Sequence, residues 1–373
     1  MIKRIDYRKL LSKNLKNFEY YQSGASLPDT IKKFGLEIKD IIKIDANENV
    51  FIEPSWMQEQ IKKCLQKINL ARYPDPLYIE TRKSLAKYFG LDYNEIIVGN
   101  GSDDVFMTIF HTVIDNQSEI LVAEPTFSMY KFFTDILGAK YSYVLLNDDF
   151  TIDVEKLLSK VSKNTKLMIV ASPNNPTGNT FQTDKIKYLI ENFNGIFILD
   201  EAYAAYSNIS LIDWIHKYNN LIIIRTFSKS LGLAGLRVGI MALNKELADI
   251  LRPIQIPYSL NIVAQYLVPQ LLKEKEYFLK KIEEVKKERE WLFSELTKIK
   301  ELKVYPSKTN FILARVLKDG LNAKIVCEEL IKSGIIIRDR SKVPLLSNCI
   351  RITVGTRKIN LILLKQLKRI LGD

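Results

Sequence analysis

The sequence predicts an α/β protein with a mostly parallel central sheet in a large domain, followed by a smaller α+β domain. Two observations carry the prediction. Apolar runs of strand length recur through the middle of the chain: EILVA (119–123), YSYVLL (141–146), KLMIVA (166–171), GIFILD (195–200), LIIIRT (221–226) and LRVGI (236–240). Candidate helices separate several of them, and strands apolar along their whole length suit a parallel sheet covered on both faces. The texture then changes at a long Lys- and Glu-rich helical stretch, 273–299. Beyond it lie strand candidates at 310–316, 335–339 and 350–354 and helix candidates at 321–333 and 357–371, with no second parallel series.

The elements follow in order. Residues 1–44 read as an arm joining the small domain and a dimer contact, ending in the approach segment IKDIIKI (38–44). DANEN (45–49) is too polar for a strand interior and reads as a loop. A helix is expected over 55–68 with Pro54 near its start, and after the break RYPDP (72–76) a second helix stopped by Gly90. IIVGNGSDD (96–104) reads as a strand, a Gly-rich turn and a helix start whose exposed amides suit an anion. RPIQIP (252–257) breaks the helical pattern, so the large domain is placed at 45–255 and the small one at 256–373. At 373 residues, two domains are the natural expectation.

Composition narrows the function. The net charge of +12 comes from 55 Lys and Arg against 43 Asp and Glu, but the basic residues lie among acidic neighbours and form no long tract. No nucleic-acid module is apparent, so a solvated basic surface or an anionic ligand explains the charge better than nucleic acid does. Cys64, Cys327 and Cys349 are dispersed and read as reduced thiols. The first twenty residues lack the apolar run of a secretory signal, and there is no apolar stretch of membrane-spanning length. A soluble cytoplasmic protein without membrane contact is expected. His111 and His216 lie far apart, and no cysteine or carboxylate cluster has metal-ligand spacing, so no metal is expected.

The chemistry lies in polar residues placed just beyond apolar strands. SPNNPTG (172–178) follows KLMIVA, and its prolines favour a tight loop that aims Asn175 at the C-terminal edge of the sheet, where open α/β proteins bind ligands. Asp200 ends FILD; an acid there needs a facing cation or proton, and the ring nitrogen of pyridoxal phosphate is such a partner. Tyr203 stands three residues on, placed to donate to the ring's O3′. Lys229 ends TFSK after LIIIRT, where an amine of lowered pKa forms an imine with the cofactor aldehyde and later moves a proton. Ser228, Arg237 and the amides around Ser102 and Asp103 suit the cofactor phosphate. Taken singly, Asp200 reads as a helix cap, Lys229 as a surface lysine and Asn175 as turn chemistry. Their joint order outweighs those readings. Gly232, Gly235 and Gly239 lack the dinucleotide fingerprint, which argues against a nicotinamide cofactor.

With these residues in hand, the sequence resembles the fold-type I pyridoxal-phosphate aminotransferases, most closely the histidinol-phosphate branch, from about Tyr21 onward. DANEN, RYPDP, GNGSDD, EPTFSMY, SPNNPTG, LDEAY, RTFSKSLGLAGLRVG, NFILAR, IIIRDRS and IRITVGT occur in that family's order. The resemblance implies that Lys229 carries the cofactor, Asp200 pairs with its ring nitrogen, Asn175 and Tyr203 contact O3′, and Phe127 stacks on the ring. It implies further that Tyr73 reaches the cofactor phosphate of the neighbouring subunit in a homodimer with shared active sites. Arg351 matches the arginine that binds the α-carboxylate of the glutamate donor, while Arg338 and Tyr21 match positions that recognise the phosphate of the acceptor. Asn175 adds to the substrate contacts. The implied reaction is transamination of L-histidinol phosphate with 2-oxoglutarate. Val50 after DANEN and the second acid of GNGSDD depart from the family's pattern, and related enzymes transaminate aromatic amino acids or decarboxylate threonine phosphate.

Overall fold

A computed structural model describes residues 6–11, 13–15 and 27–372. Its centre is a seven-stranded sheet of β1 (Ile96–Asn100), β2 (Glu119–Glu124), β3 (Lys140–Leu145), β4 (Thr165–Ala171), β5 (Ile196–Asp200), β6 (Leu221–Thr226) and β7 (Val238–Leu243). Their spatial order is β1-β7-β6-β5-β4-β2-β3. The pairs β2–β3, β2–β4, β4–β5 and β5–β6 are parallel, as the apolar runs predict. Leu167 to Val170, Phe197 to Leu199 and Leu221 to Ile224 are all buried, because helices cover both faces.

One strand departs from the sequence reading. The run expected at 236–240 begins only at Val238, because Ala234–Leu236 forms a 3-10 turn and Arg237 adopts φ 57°. That strand, β7, runs antiparallel to both β6 and β1. Gly239 opposes Gly99 across this pair, and a Cβ on Gly239 would lie 2.3 Å from the amide nitrogen of Ser102. Only glycine lets the turn at the end of β1 sit so close to the sheet.

The smaller layer is an antiparallel sheet of β8 (Leu302–Tyr305), β9 (Phe311–Val316), β10 (Arg338–Asp339) and β11 (Cys349–Thr353), ordered β10-β11-β9-β8. The single strand expected over 335–339 is two pieces. Ile335–Ile336 pairs in parallel with Ile42–Lys43, and only Arg338–Asp339 joins β11. The N-terminal approach segment is thereby stitched to the small layer and leads directly into the DANEN loop.

Packing also moves the transition between layers. The helix Ile262–Leu271, beyond RPIQIP, packs on the helices Pro54–Leu65 and Ile79–Phe89. Its Ala264, Leu267 and Val268 share an apolar cluster with Ile96, Val98 and Ile240 of the large sheet. The helix Lys275–Thr297 makes the crossing: Phe278 belongs to that cluster, whereas Ile282, Val285, Leu292 and Leu296 pack with Phe311 and Ile352. Residues 262–278 therefore pack with the large sheet, although the sequence reading assigns them to the small domain. Among the described residues no helix is long and apolar enough to cross a membrane.

Candidate active site

Four strands of the large sheet end at one cavity of about 300 Å³. The loop after β4 brings Asn175, β5 ends in Asp200, β6 leads into the one-turn helix Phe227–Ser230 with Lys229, and β1 leads through Gly101 into the helix Ser102–Val113. The small layer closes the other side with Arg338, Arg340 and Arg351, and the DANEN loop contributes Asp45 to Glu48. Arg338 and Arg351 are cross-strand partners on β10 and β11, so the pleat puts both side chains on one face.

A single helical turn has little intrinsic stability, so contacts must hold Lys229. The Thr226 hydroxyl accepts from the Ser228 amide at 3.1 Å, and the buried Tyr206 hydroxyl donates to the Lys229 carbonyl at 2.7 Å. The Lys229 amine donates to the Ala46 carbonyl at 2.8 Å. Burial pulls its pKa down to about 8, with the positive charges of Arg351 and Arg237 acting in the same direction.

Asp200 is buried and accepts from the Tyr130 hydroxyl at 2.6 Å and from the Ala202 amide at 2.9 Å. Burial pushes its pKa up to about 6, partly offset by those two donors. The next residue, Glu201, faces away: it pairs with Arg225 at 3.0 Å and accepts from the Leu211 amide at 2.6 Å, which anchors the turn behind the cavity. Tyr203 is buried against Phe311, and its oxygen accepts from Asn47 Nδ2 at 2.8 Å.

The other expected residues fall as follows. Ser102, Asp103, Ser228 and Arg237 line the cavity together. The Asp103 carboxylate is paired with Arg237 at 3.0 Å, which leaves backbone amides, hydroxyls and the guanidinium to meet an anion. Phe127 lines the cavity and meets Tyr130 edge-on. Asn175 Oδ1 accepts from Arg351 at 2.7 Å, and Arg351 also donates to the Asp45 carbonyl at 2.6 Å. Tyr73 does not line the cavity; it is 83% exposed, with its ring against Tyr258. Tyr21 lies outside the described residues.

Three residues of the site escaped the sequence reading: Asn47 and Arg340 line the cavity, and Tyr130 donates to Asp200 without lining it. Tyr130 follows Phe127 by three residues in EPTFSMY, a spacing that puts both on one side of a helical start. Arg340 is two residues beyond Arg338, the period of an extended chain. Asn47 sits inside DANEN and carried no signal of its own, because its partners are more than 150 residues away.

The residues present fit pyridoxal phosphate. Among the described residues no cation pairs with the buried Asp200 carboxylate, whose pKa is raised, and a protonated ring nitrogen would provide one. A buried amine of lowered pKa suits condensation with an aldehyde. Ser102, Ser228, Arg237 and the amides that open the helix Ser102–Val113 would hold the phosphate. Asn175 and Tyr203 would meet the ring oxygen, and Phe127 the ring face.

Comparison with known proteins gives the family. The family described as "Aminotransferase class I and II" matches residues 39–367. Histidinol-phosphate aminotransferase of Clostridium novyi is 35% identical over 355 residues, covering 95% of each chain. The crystal structure of histidinol-phosphate aminotransferase from Sinorhizobium meliloti in complex with pyridoxal-5′-phosphate shares the fold, with a TM-score of 0.87 at 22% identity over 97% of each chain. L-threonine-O-3-phosphate decarboxylase from Porphyromonas gingivalis shares it too, with a TM-score of 0.78 at 23% identity over 89% of this chain and 100% of that one. The chain belongs to the class I and II aminotransferase family and is a fold-type I pyridoxal-phosphate-dependent aminotransferase.

Proposed function

We propose that this aminotransferase exchanges the amino group between L-glutamate and imidazole-acetol phosphate, yielding 2-oxoglutarate and L-histidinol phosphate by a two-step ping-pong route. The observation that carries the reading is the arginine wall: Arg338, Arg340 and Arg351 line the same cavity as the Lys229 amine. A substrate pair that presents a carboxylate in one half-reaction and a phosphate in the other needs guanidinium groups at both ends of its path. The kinship with a histidinol-phosphate aminotransferase along nearly the whole chain supports the same substrate.

Pyridoxal phosphate, when bound, supplies an electron sink for the substrate Cα. The protein's residues do the rest. Arg351, set by Asn175 and the Asp45 carbonyl, receives the carboxylate of glutamate, and Arg338 receives the phosphate of the acceptor. Lys229, whose buried amine gives up its proton more readily than an ordinary lysine, carries a proton to and from the substrate Cα. Asp200 keeps the proton on the ring nitrogen, and Tyr130 holds that carboxylate in place.

The proposed form is a cytoplasmic homodimer. Tyr73 and Tyr258 pack together at the surface, and Leu77 and Ile256 nearby in the chain are also exposed, an apolar surface suited to a second copy. The three cysteines are buried free thiols, in keeping with a reducing compartment.

The test is a substrate screen on the purified holoenzyme, following the cofactor's visible spectrum with histidinol phosphate, phenylalanine and threonine phosphate in parallel. Histidinol phosphate is expected to convert the spectrum fully, with 2-oxoglutarate restoring it. Silence from histidinol phosphate with a response to phenylalanine would overturn the substrate, and carbon dioxide release from threonine phosphate would overturn the reaction type.

A further inference from the structure

We infer that Asn47 is a positioning residue that fixes the direction of the Tyr203 hydroxyl, so that Tyr203 acts only as a donor into the cavity. The inference rests on the cavity being the cofactor site.

The bonding order of a small buried network gives the direction. The Asn47 amide donates to Thr353 Oγ1 at 3.0 Å, and the Thr353 hydroxyl passes its own proton to Asn47 Oδ1 at 3.3 Å. That contact turns the oxygen of the Asn47 side chain toward Thr353 and its nitrogen toward Tyr203. Asn47 Nδ2 then donates to the Tyr203 oxygen at 2.8 Å. An oxygen that accepts at this position must send its one proton elsewhere. Tyr203 and Asn47 both line the cavity, so the proton is free to point at a bound ligand. Burial raises the Tyr203 pKa, which keeps that proton in place.

The geometry of Asn47 is itself costly and held from two sides. It is 1% exposed and adopts φ 56°, a left-handed conformation that asparagine tolerates better than most residues. Its carbonyl accepts from Asn310 Nδ2 at 2.9 Å. Asn310 immediately precedes β9, and Thr353 ends β11, so the small layer grips Asn47 while Asn47 grips Tyr203 on the large one. The direction of one phenolic proton at the cavity floor is thus set by the opposite layer.

Two substitutions that keep the left-handed backbone separate direction from mere contact. Asn47→Asp puts an acceptor where the donor was, so the Tyr203 proton is drawn back to residue 47 and lost to the cavity. Asn47→Gly removes the contact but leaves that proton free. A donor beside the ligand's phenolic oxygen favours the deprotonated state of the bound cofactor, so losing it raises the pH midpoint of the visible band. The experiment titrates that band in wild-type, Tyr203→Phe, Asn47→Asp and Asn47→Gly holoenzymes, with circular dichroism verifying that each is folded. Tyr203→Phe and Asn47→Asp are expected to raise the midpoint together, by about one pH unit, the scale of one hydrogen bond. Asn47→Gly is expected to move it by less than half as much. If Tyr203→Phe leaves the midpoint unchanged, the placement of Tyr203 beside the cofactor fails. If Tyr203→Phe raises it while Asn47→Asp does not, or Asn47→Gly matches Asn47→Asp, the role of Asn47 is overturned.

Discussion

The two walls of the cavity are built on different principles. The floor comes from the large sheet, where each polar residue sits at or just after the end of a buried apolar strand, as Asp200 follows Leu199 and Lys229 lies in the helical turn after Thr226. The roof comes from the small layer and the DANEN loop, whose residues reach the cavity through antiparallel register and long-range bonds such as Arg351 to Asn175 and Asn47 to Thr353. The floor suits a cofactor whose binding groups do not change between half-reactions. The roof offers arginines, which suit ligands that alternate between carboxylate and phosphate. On the proposed function, chemistry falls to one layer and specificity to the other.

That division can be broken most directly at the floor. Lys229→Ala should lower transamination by about three orders of magnitude or more, because a proton carrier and a covalent anchor are lost together. Borohydride treatment should then leave no cofactor fixed to the chain, as read by mass spectrometry. Activity near the wild-type rate would refute the assignment.

Asp200→Asn should cost about two orders of magnitude in turnover while leaving KM for both substrates nearly unchanged. It also has a signature without cofactor. A carboxyl whose folded pKa lies above its unfolded value destabilises the fold as pH rises from 3.8 through about 6. In the apoprotein this contributes a loss of about 3 kcal/mol across that window. Asp200→Asn should flatten that part of the stability curve measured by urea unfolding, and cofactor should flatten it in the wild type.

At the roof, Arg338→Ala should raise KM for the phosphorylated substrate by about 10- to 100-fold, the worth of a charge-assisted hydrogen bond, and spare the glutamate half-reaction. Equal loss in both half-reactions would dissolve the distinction between Arg338 and Arg351. The smallest effect is expected from Tyr130→Phe, which removes one neutral donor to Asp200 and should reduce turnover several-fold, about 1 kcal/mol.

The two walls also differ in how far they were legible. Asp200, Asn175 and Lys229 stood out because an apolar strand that stops at a polar residue leaves a local mark in the chain. Arg338 and Arg351 were reached through a resemblance of motifs, since nothing in an arginine beside a short strand says what it faces. Tyr130, Arg340 and Asn47 were not singled out. The late start of β7, its antiparallel direction and the split of 335–339 into two pieces were equally hidden, because register depends on the partner strand.

By itself, the sequence determined the strand-length apolar runs, the polar residues that end them and hence the class of fold and the amine-and-carboxylate pair at its centre. These are properties of short segments, decided by hydrophobic burial and turn chemistry within a few residues. Only the tertiary structure decided which arginines face Lys229, that Tyr130 secures Asp200 and that Asn47 joins Tyr203 to the small layer. A hydrogen bond between residues 156 positions apart leaves no mark on either neighbourhood; it exists only once packing has brought the two layers together.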